Sequence, residues 1–333
     1  MAIKIGINGF GRIGKLVFRL ASETKDIEVV HINDRMELSM VAHLLKYDSL
    51  HGRFKGEVNC ENETLIVNSK PVRVSSYSEP SKIDWAMMGV DIVIDSSGKF
   101  KTRAALDGHL KRGAKKVILT CPAGDDSIDR TVVMGVNDEE IKESDIIVSN
   151  ASCTTNCVAV LLKVLIEEFG VKKAFMNTVH TFTNNQNLQD GFHKDYRRAR
   201  AAMNNIIPTS SSAIKTTELV LPEIRNKFDG FATRVPVADC SYIELTAHLD
   251  KEVTVEKLNG AFKAYSTGSL KRYLEYCTDP IVSSDINNNY YSAVFDSLSS
   301  KVLGGDLIQI IGWYDNESAY SARVIDLIRM MNG

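Results

Sequence analysis

The chain is 333 residues long, 44% hydrophobic and 25% charged, with a formal net charge of −2. That length suits two domains better than one core, and the near-neutral charge excludes a global field drawing the protein to nucleic acid or a membrane surface. Six cysteines in so long a chain do not make a disulfide framework, and no apolar run approaches the ~18–20 residues that span a bilayer.

The N-terminus, Met1-Ala2-Ile3-Lys4, runs straight into a strand pattern without a signal peptide, so a reducing cytoplasm is the expected compartment. Ile3, Ile5 and Ile7 alternate with polar or small residues up to Asn8-Gly9. Ile13, Leu16, Val17 and Leu20 then form a helical stripe, and Ile27 to Ile32 reads as the next strand. Between the first strand and the helix lies Gly9-Phe10-Gly11-Arg12-Ile13-Gly14, a G-x-G-x-x-G pattern. Gly9 permits a tight turn, Gly11 lets backbone approach a pyrophosphate, and Gly14 lets helix and strand pack closely. Asp34 follows at the spacing where a carboxylate bonds the adenosine ribose, which favours NAD. The neighbouring Arg35 could receive a 2′-phosphate and keeps NADP open. The bland alternative is an ordinary strand-helix-strand unit with an Asp capping a turn.

Further strands are expected at Asp91–Asp95, Val117–Thr120, Thr131–Val136 and Asp145–Val148, with a helix over Thr102–Lys111. This alternation implies a parallel sheet covered on both faces. The last strand leads into Ser149-Asn150-Ala151-Ser152-Cys153-Thr154-Thr155-Asn156-Cys157, and a helix-like run with Val158, Leu161, Leu162, Leu165, Ile166 and Phe169 leads out. Cys153 is thereby expected in the first turn of a helix, where unpaired N–H groups and the helix dipole favour thiolate, the nucleophilic form. Cys153 and Cys157 stand four apart with no second metal-type pair nearby, which argues against zinc.

The second half reads as an α+β domain. Runs at Ala174–Thr183, Gly230–Val237, Tyr242–Leu249 and Leu307–Trp313 suggest a mostly antiparallel sheet with helices on one side. The polar stretch from Asn184 to Asn205 reads as a long ordered loop serving a site or an interface. Ile325, Leu327, Ile328 and Met331 suggest a closing helix. The boundaries expected are 1–151 for coenzyme binding, 152–315 for catalysis, and 316–333 for a helix packing back on the first domain. His180, at the end of the run from Ala174, is the imidazole suited to take a proton from Cys153.

Several motifs occur in one family's order: Ser149–Cys157; Thr178-Val179-His180; Arg197–Arg200 with Ile206-Ile207-Pro208; Arg234-Val235-Pro236; and Trp313-Tyr314-Asp315-Asn316-Glu317. Leu44–Ser49 and Met134–Asn137 agree with it. On these motifs the chain resembles the phosphorylating glyceraldehyde-3-phosphate dehydrogenases over essentially its full length. The resemblance implies a glycolytic oxidoreductase in which Cys153 captures an aldehyde, His180 takes a proton, NAD accepts hydride, and inorganic phosphate cleaves the resulting thioester. It implies coenzyme contacts from Asn8, Gly9, Phe10, Gly11, Arg12, Ile13, Asp34, Arg35, Ser97, Thr120, Asn316 and Tyr320. It implies anion contacts for substrate phosphate and attacking phosphate from Ser152, Thr154, Thr183, Arg198, Ser211, Ser212 and Arg234. It also implies a homotetramer, no nucleic-acid or membrane partner, and no metal.

The chain departs from the family pattern in three places. Ser211-Ser212 stands where Thr-Gly is usual, and an expected loss of glycine's positive φ at Ser212 would weaken phosphate binding. Ser318 and Ala319 replace an aromatic residue and a glycine. Gly191-Phe192 stands where NAD-specific members commonly carry Leu-Pro. Erythrose-4-phosphate dehydrogenase, a sister activity, and a non-catalytic interaction protein on the same fold remain the alternatives at this stage.

Overall fold

A computed structural model describes residues 2–61 and 64–332. Met1, which opens the N-terminal run, and Gly333, the last residue of the closing segment, lie outside the described residues. The chain divides into two compact units. One comprises Met1–Val132, Glu140–Ala151 and Ser321–Gly333; the other comprises Val133–Glu139 and Ser152–Tyr320.

The first unit runs β1 (Ile3–Asn8), α1 (Arg12–Ser22), β2 (Ile27–Asn33), α2 (Leu38–Lys46), β3 (Val58–Glu61), β4 (Thr64–Val67), β5 (Lys70–Ser75), β6 (Ile92–Asp95), α3 (Arg103–Leu110), β7 (Lys116–Leu119), β8 (Arg130–Thr131) and β9 (Ile147–Ser149). Among the described residues these strands form one sheet, in the order β3-β4-β5-β2-β1-β6-β7-β9-β8. The pairings from β5 to β8 are parallel, and β3-β4-β5 is an antiparallel meander at one edge. Ile5, Ile7, Ile32, Val93, Ile94, Val117 and Ile118 are almost fully buried, as a sheet covered on both faces requires.

The expected strand Thr131–Val136 shrinks to β8. Its remainder turns because Asn137 Oδ1 accepts the Val133 N–H (2.9 Å), Asp138 Oδ1 accepts the Gly135 N–H (2.8 Å), and Gly135 sits at φ +82°. The β3–β5 meander and α2 were not anticipated.

The second unit runs α4 (Cys153–Phe169), β10 (Val171–Thr181), β11 (Ile207–Thr209), α5 (Ala213–Val220), β12 (Phe228–Val235), β13 (Ser241–Leu249), α6 (Val255–Thr267), β14 (Leu274–Cys277), β15 (Ala293–Leu303) and β16 (Leu307–Tyr314). Its sheet has the order β11-β12-β10-β13-β16-β15-β14. Most pairings are antiparallel, but β10 with β12 and β14 with β15 run parallel. Alternation along β10 buries Ala174, Met176, Thr178 and His180 and leaves Phe175 on the opposite, exposed face. β15 escaped the sequence pattern because its register shifts between Asp296 and Lys301, breaking the period of two across a Ser-rich run.

The final helix, α7 (Ser318–Asn332), is tied within the first unit at its C-terminal end. Arg329 Nε donates to Asp26 Oδ2 (2.6 Å), and Lys116 Nζ donates to the Met331 carbonyl (2.7 Å).

Candidate active site

The chain enters the nucleophile's helix through an unusual backbone. Ala151, fully buried, holds φ at +55°, a left-handed conformation that costs a non-glycine residue on the order of 1 kcal/mol. Ser152 then caps α4: its Oγ accepts the Thr155 N–H at 3.0 Å and lies 2.7 Å from Thr155 Oγ1. Cys153 is therefore the first helical residue.

The pairing of β10 with β12 supplies the rest of this cluster. Parallel register sets Arg234 directly beside His180. His180 Nε2 lies 3.6 Å from Cys153 Sγ. His180 Nδ1 lies 2.8 Å from the Thr181 carbonyl and 2.6 Å from Arg234 Nη1, which itself donates to Thr181 O at 2.7 Å. Two tautomers divide these contacts. With the proton on Nδ1, His180 donates to Thr181 O and offers Nε2 as the acceptor facing sulfur. With the proton on Nε2, Nδ1 accepts from Arg234 and Nε2–H faces the sulfur.

Burial, followed by the Arg234 charge, drives the His180 imidazole down to about 3, so it is neutral at physiological pH and able to accept a proton. The sulfur differs from the sequence expectation. Burial pushes the Cys153 thiol up, against the opposing pull of Arg234 and the Thr154 hydrogen bonds. Helix-terminal amides are present, but removal from water outweighs them.

Arg234 is the outlier of the cluster. No carboxylate pairs with it among the described residues, and its buried Nε–H lacks a partner. A half-buried guanidinium with an unfilled donor calls for an anion. Arg198 is otherwise engaged: Nε donates to Thr209 Oγ1 (2.9 Å), Nη2 to the Ser210 carbonyl (3.0 Å), and Asp195 lies 3.6 Å away.

The hydroxyls expected to hold anions have internal partners. Thr154 Oγ1 lies 2.9 Å from Tyr314 OH, which also bonds Thr178 Oγ1 at 2.9 Å, and Ser211 Oγ accepts the Ala213 N–H at 3.2 Å. Thr183 lies just beyond β10, and its N–H donates to Gln186 Oε1 (3.3 Å). The backbone part of the expectation for Ser212 does not hold: its φ is −71°, an ordinary helical value as the residue before α5, so glycine's freedom is not needed there. Asn316 Oδ1 accepts from Ser241 Oγ (2.8 Å) and Thr181 Oγ1 (3.2 Å), which fixes the amide's orientation. Tyr320 is buried. Thr178 and Tyr314 stood in the quoted motifs without being given a site role, and Ser241 and Thr181 were missed; Ser241 lies one residue before an expected strand and carries no signal of its own. Ser318 and Ala319 are buried at the start of α7, while Phe192 is exposed.

In the first unit, a cleft of about 220 Å³ is lined by Asn8, Gly9, Gly11, Asn33, Asp34, Arg35, Tyr77, Ser78, Ser96, Ser97, Lys99 and Phe100. Gly11 precedes α1 with no side-chain cap, and nothing lies within 4 Å of where its Cβ would sit. The first amides of α1 are thus open to a phosphate. A Cβ on Gly14 would strike the Gly9 carbonyl at 2.2 Å, and one on Gly9 would strike the Ser97 nitrogen at 2.6 Å. Asp34 accepts the Phe10 N–H through Oδ2 (2.7 Å) and the Met36 N–H through Oδ1 (3.0 Å), pinning the glycine turn.

Of the remaining expected coenzyme residues, Phe10 buries its ring against Phe18, and Arg12 forms a two-pronged pair with Asp48. Those two side chains are committed elsewhere, and the Phe10 N–H is already held by Asp34. Ile13 lies in the first turn of α1. Thr120 follows β7, bonded to the Asp95 carbonyl through its N–H (3.0 Å) and Oγ1 (3.2 Å).

Family models match both parts of the chain. The glyceraldehyde 3-phosphate dehydrogenase NAD binding domain covers residues 3–103, and the C-terminal domain of that enzyme covers 152–316. The chain belongs to the glyceraldehyde-3-phosphate dehydrogenase family. It is 51% identical to a glyceraldehyde-3-phosphate dehydrogenase of Priestia megaterium over 98% of this chain and 97% of that protein. It is 49% identical to glyceraldehyde-3-phosphate dehydrogenase 1 of Bacillus subtilis and to the Geobacillus stearothermophilus protein, with the same coverage in both cases. NAD is accordingly the coenzyme of this family member, and the open α1 terminus, the bare Gly11 and Asp34 suit a dinucleotide. No helix among the described residues is long and apolar enough to cross a membrane.

Proposed function

We propose that this protein oxidises D-glyceraldehyde 3-phosphate to 1,3-bisphosphoglycerate through a thioester on Cys153, passing hydride to NAD. The observation that carries the reading is the cluster in which Cys153 Sγ lies 3.6 Å from a neutral His180, beside an Arg234 whose Nε–H has no partner. Because the thiol is pushed up and the imidazole pushed down, free thiolate does not accumulate. The proton passes from Sγ to Nε2 as sulfur bonds the aldehyde carbon, so neither ionised group has to exist alone. His180 returns that proton to the aldehyde oxygen, giving the hemithioacetal hydroxyl, and takes it back as hydride leaves the carbon for the acceptor that bound NAD would supply. Inorganic phosphate then attacks the thioester, releasing acyl phosphate and returning the sulfur.

Arg234 suits the substrate's phosphate, and Arg198 with Ser211 and Ser212 suits the attacking one. Asn316, its Oδ1 already bonded, would direct its amide N–H groups to the nicotinamide carboxamide. The division of labour we propose is 1–151 for coenzyme, 152–315 for chemistry, and 316–333 returning to the coenzyme domain, although 133–139 and 316–320 pack in the second unit.

A homotetramer is supported by the sheet face opposite the helices of the second unit. There Phe175 and Phe231 are exposed and in edge contact, with ring centroids 6.0 Å apart. A cytoplasmic setting suits six free cysteines.

The test is NADH formation with glyceraldehyde 3-phosphate and with erythrose 4-phosphate, each with and without inorganic phosphate. Fastest turnover on the triose with phosphate present supports the reading. Faster use of the tetrose, or turnover indifferent to phosphate, transfers it to the sister activity.

A further inference from the structure

Behind the coenzyme cleft, the first unit buries a chain of polar side chains that the chemistry above does not use. It starts at Trp85, whose Nε1–H donates to His109 Nδ1 at 2.9 Å; both residues are fully buried. An indole can only donate, so Nδ1 is the acceptor and the neutral imidazole carries its proton on Nε2. That nitrogen lies 3.0 Å from Asp95 Oδ2. Asn8 Nδ2 donates to the same oxygen at 2.8 Å, and Asp95 Oδ1 receives the Ser97 Oγ–H (2.6 Å) and N–H (3.1 Å). A carboxylate that is only 1% exposed thus holds four donors.

The order continues beyond Asn8. With its amide nitrogen on Asp95, Asn8 turns its oxygen to Asn33 Nδ2 (2.8 Å). Asn33 Oδ1 then accepts from Ser75 Oγ (2.9 Å) and the Tyr77 N–H (2.9 Å). Ser75, having donated its hydrogen, accepts from His31 Nε2 at 2.8 Å, and the His31 ring rests against Trp85 with centroids 4.7 Å apart. The row begins and ends on one indole, and every amide and imidazole in it has a single consistent orientation. Asn8, Asn33, Tyr77 and Ser97 face the cleft; Asp95, His109, Trp85, Ser75 and His31 do not line it.

We infer that Asp95, His109 and Trp85 are positioning residues for NAD, holding Asn8, Asn33 and Ser97 in the one arrangement that forms the cleft wall. Asp95 is the junction. Through Asn8 it holds the end of β1, and through Ser97 it holds the turn on which Gly9 closes. The Ser96 hydroxyl fastens that turn to the Gly9 carbonyl at 2.6 Å. Removing the His109 donor strips one partner from a buried charge and orphans the indole N–H, which frees Asn8 to rotate and reverse the row.

The inference rests on NAD binding by the first unit, so wild-type affinity for NAD is measured first by calorimetry; a wild type that binds no NAD fails that reading itself. In H109L the NAD Kd is expected to rise about tenfold, as loss of one charge-assisted bond would produce. The kcat at saturating NAD stays within about twofold and alkylation of Cys153 without NAD stays at the wild-type rate, while H109Q, keeping a donor, recovers most of the affinity. A folded H109L with wild-type NAD affinity overturns the inference. So does a parallel fall in kcat, affinity and melting temperature, the mark of a merely structural residue. If H109L does not fold, ¹⁵N spectra of the wild type decide. The His109 Nε2–H resonance should shift on NAD saturation, and an unmoved resonance overturns the inference.

Discussion

Arg234 donates through one nitrogen to the Thr181 carbonyl and meets His180 Nδ1, while its own Nε–H has no partner. One cation therefore acts on both reacting groups: it favours ionised sulfur and disfavours imidazolium. Substituting glutamine removes the cation, so the thiol midpoint climbs further and the imidazole midpoint rises towards its ordinary value. At neutral pH, iodoacetamide should alkylate Cys153 about tenfold more slowly in Arg234→Gln, with the pH profile moved to the alkaline side by about one unit. Arg234→Lys, which keeps the charge, should recover most of the rate. Alkylation of the glutamine variant at the wild-type rate would falsify this role. Cys153 and His180 were both legible in sequence because one opens a helical run and the other ends a strand run. Their 3.6 Å approach was not, because it depends on how α4 packs against β10, and the place of Arg234 beside His180 depends on β12 lying parallel to β10, neither of which the chain's local pattern encodes. A helix terminus is visible in sequence, but the burial that pushes the Cys153 thiol up is not.

Among the elements, α4 carries the nucleophile, and its first turn is set by a single hydroxyl. Ser152 Oγ satisfies the Thr155 N–H, one of the four donors a helix leaves open at its start. Ser152→Ala should lower unfolding stability by about 1 kcal/mol in urea titrations, with kcat falling as the Cys153 turn frays. An unchanged midpoint together with an unchanged kcat would show that the turn holds without its cap. The strands of the first unit were legible where Ile and Val recur, as in β1, β2 and β6. The buried polar row between them was not, since Asn8 and Asp95 are 87 residues apart and meet only once β1 and β6 pair in register. Short polar strands such as β14 and the interrupted β15 offered no period to read.

On the scale of the whole molecule, composition and charge settled the broad class, and motif order pointed to the family. The proposed assembly would use the exposed sheet face. An apolar pair such as Phe175 and Phe231 open to water is a natural seat for a second copy. Phe231→Glu places a charge there and should shift sedimentation from tetramer towards smaller species, with secondary structure retained by circular dichroism. A variant that still sediments as tetramer would mean this face is not a contact between copies. The left-handed turn at Ala151 bears on how such a protein can vary. The chain leaves its first unit and meets its sulfur through one residue bent the unfavourable way. Glycine there would relieve the bend but loosen the approach to the nucleophile, and a branched side chain would raise its cost. Alanine thus keeps a crowded backbone that a freer residue would let wander, and the position leaves few substitutes within reach of mutation.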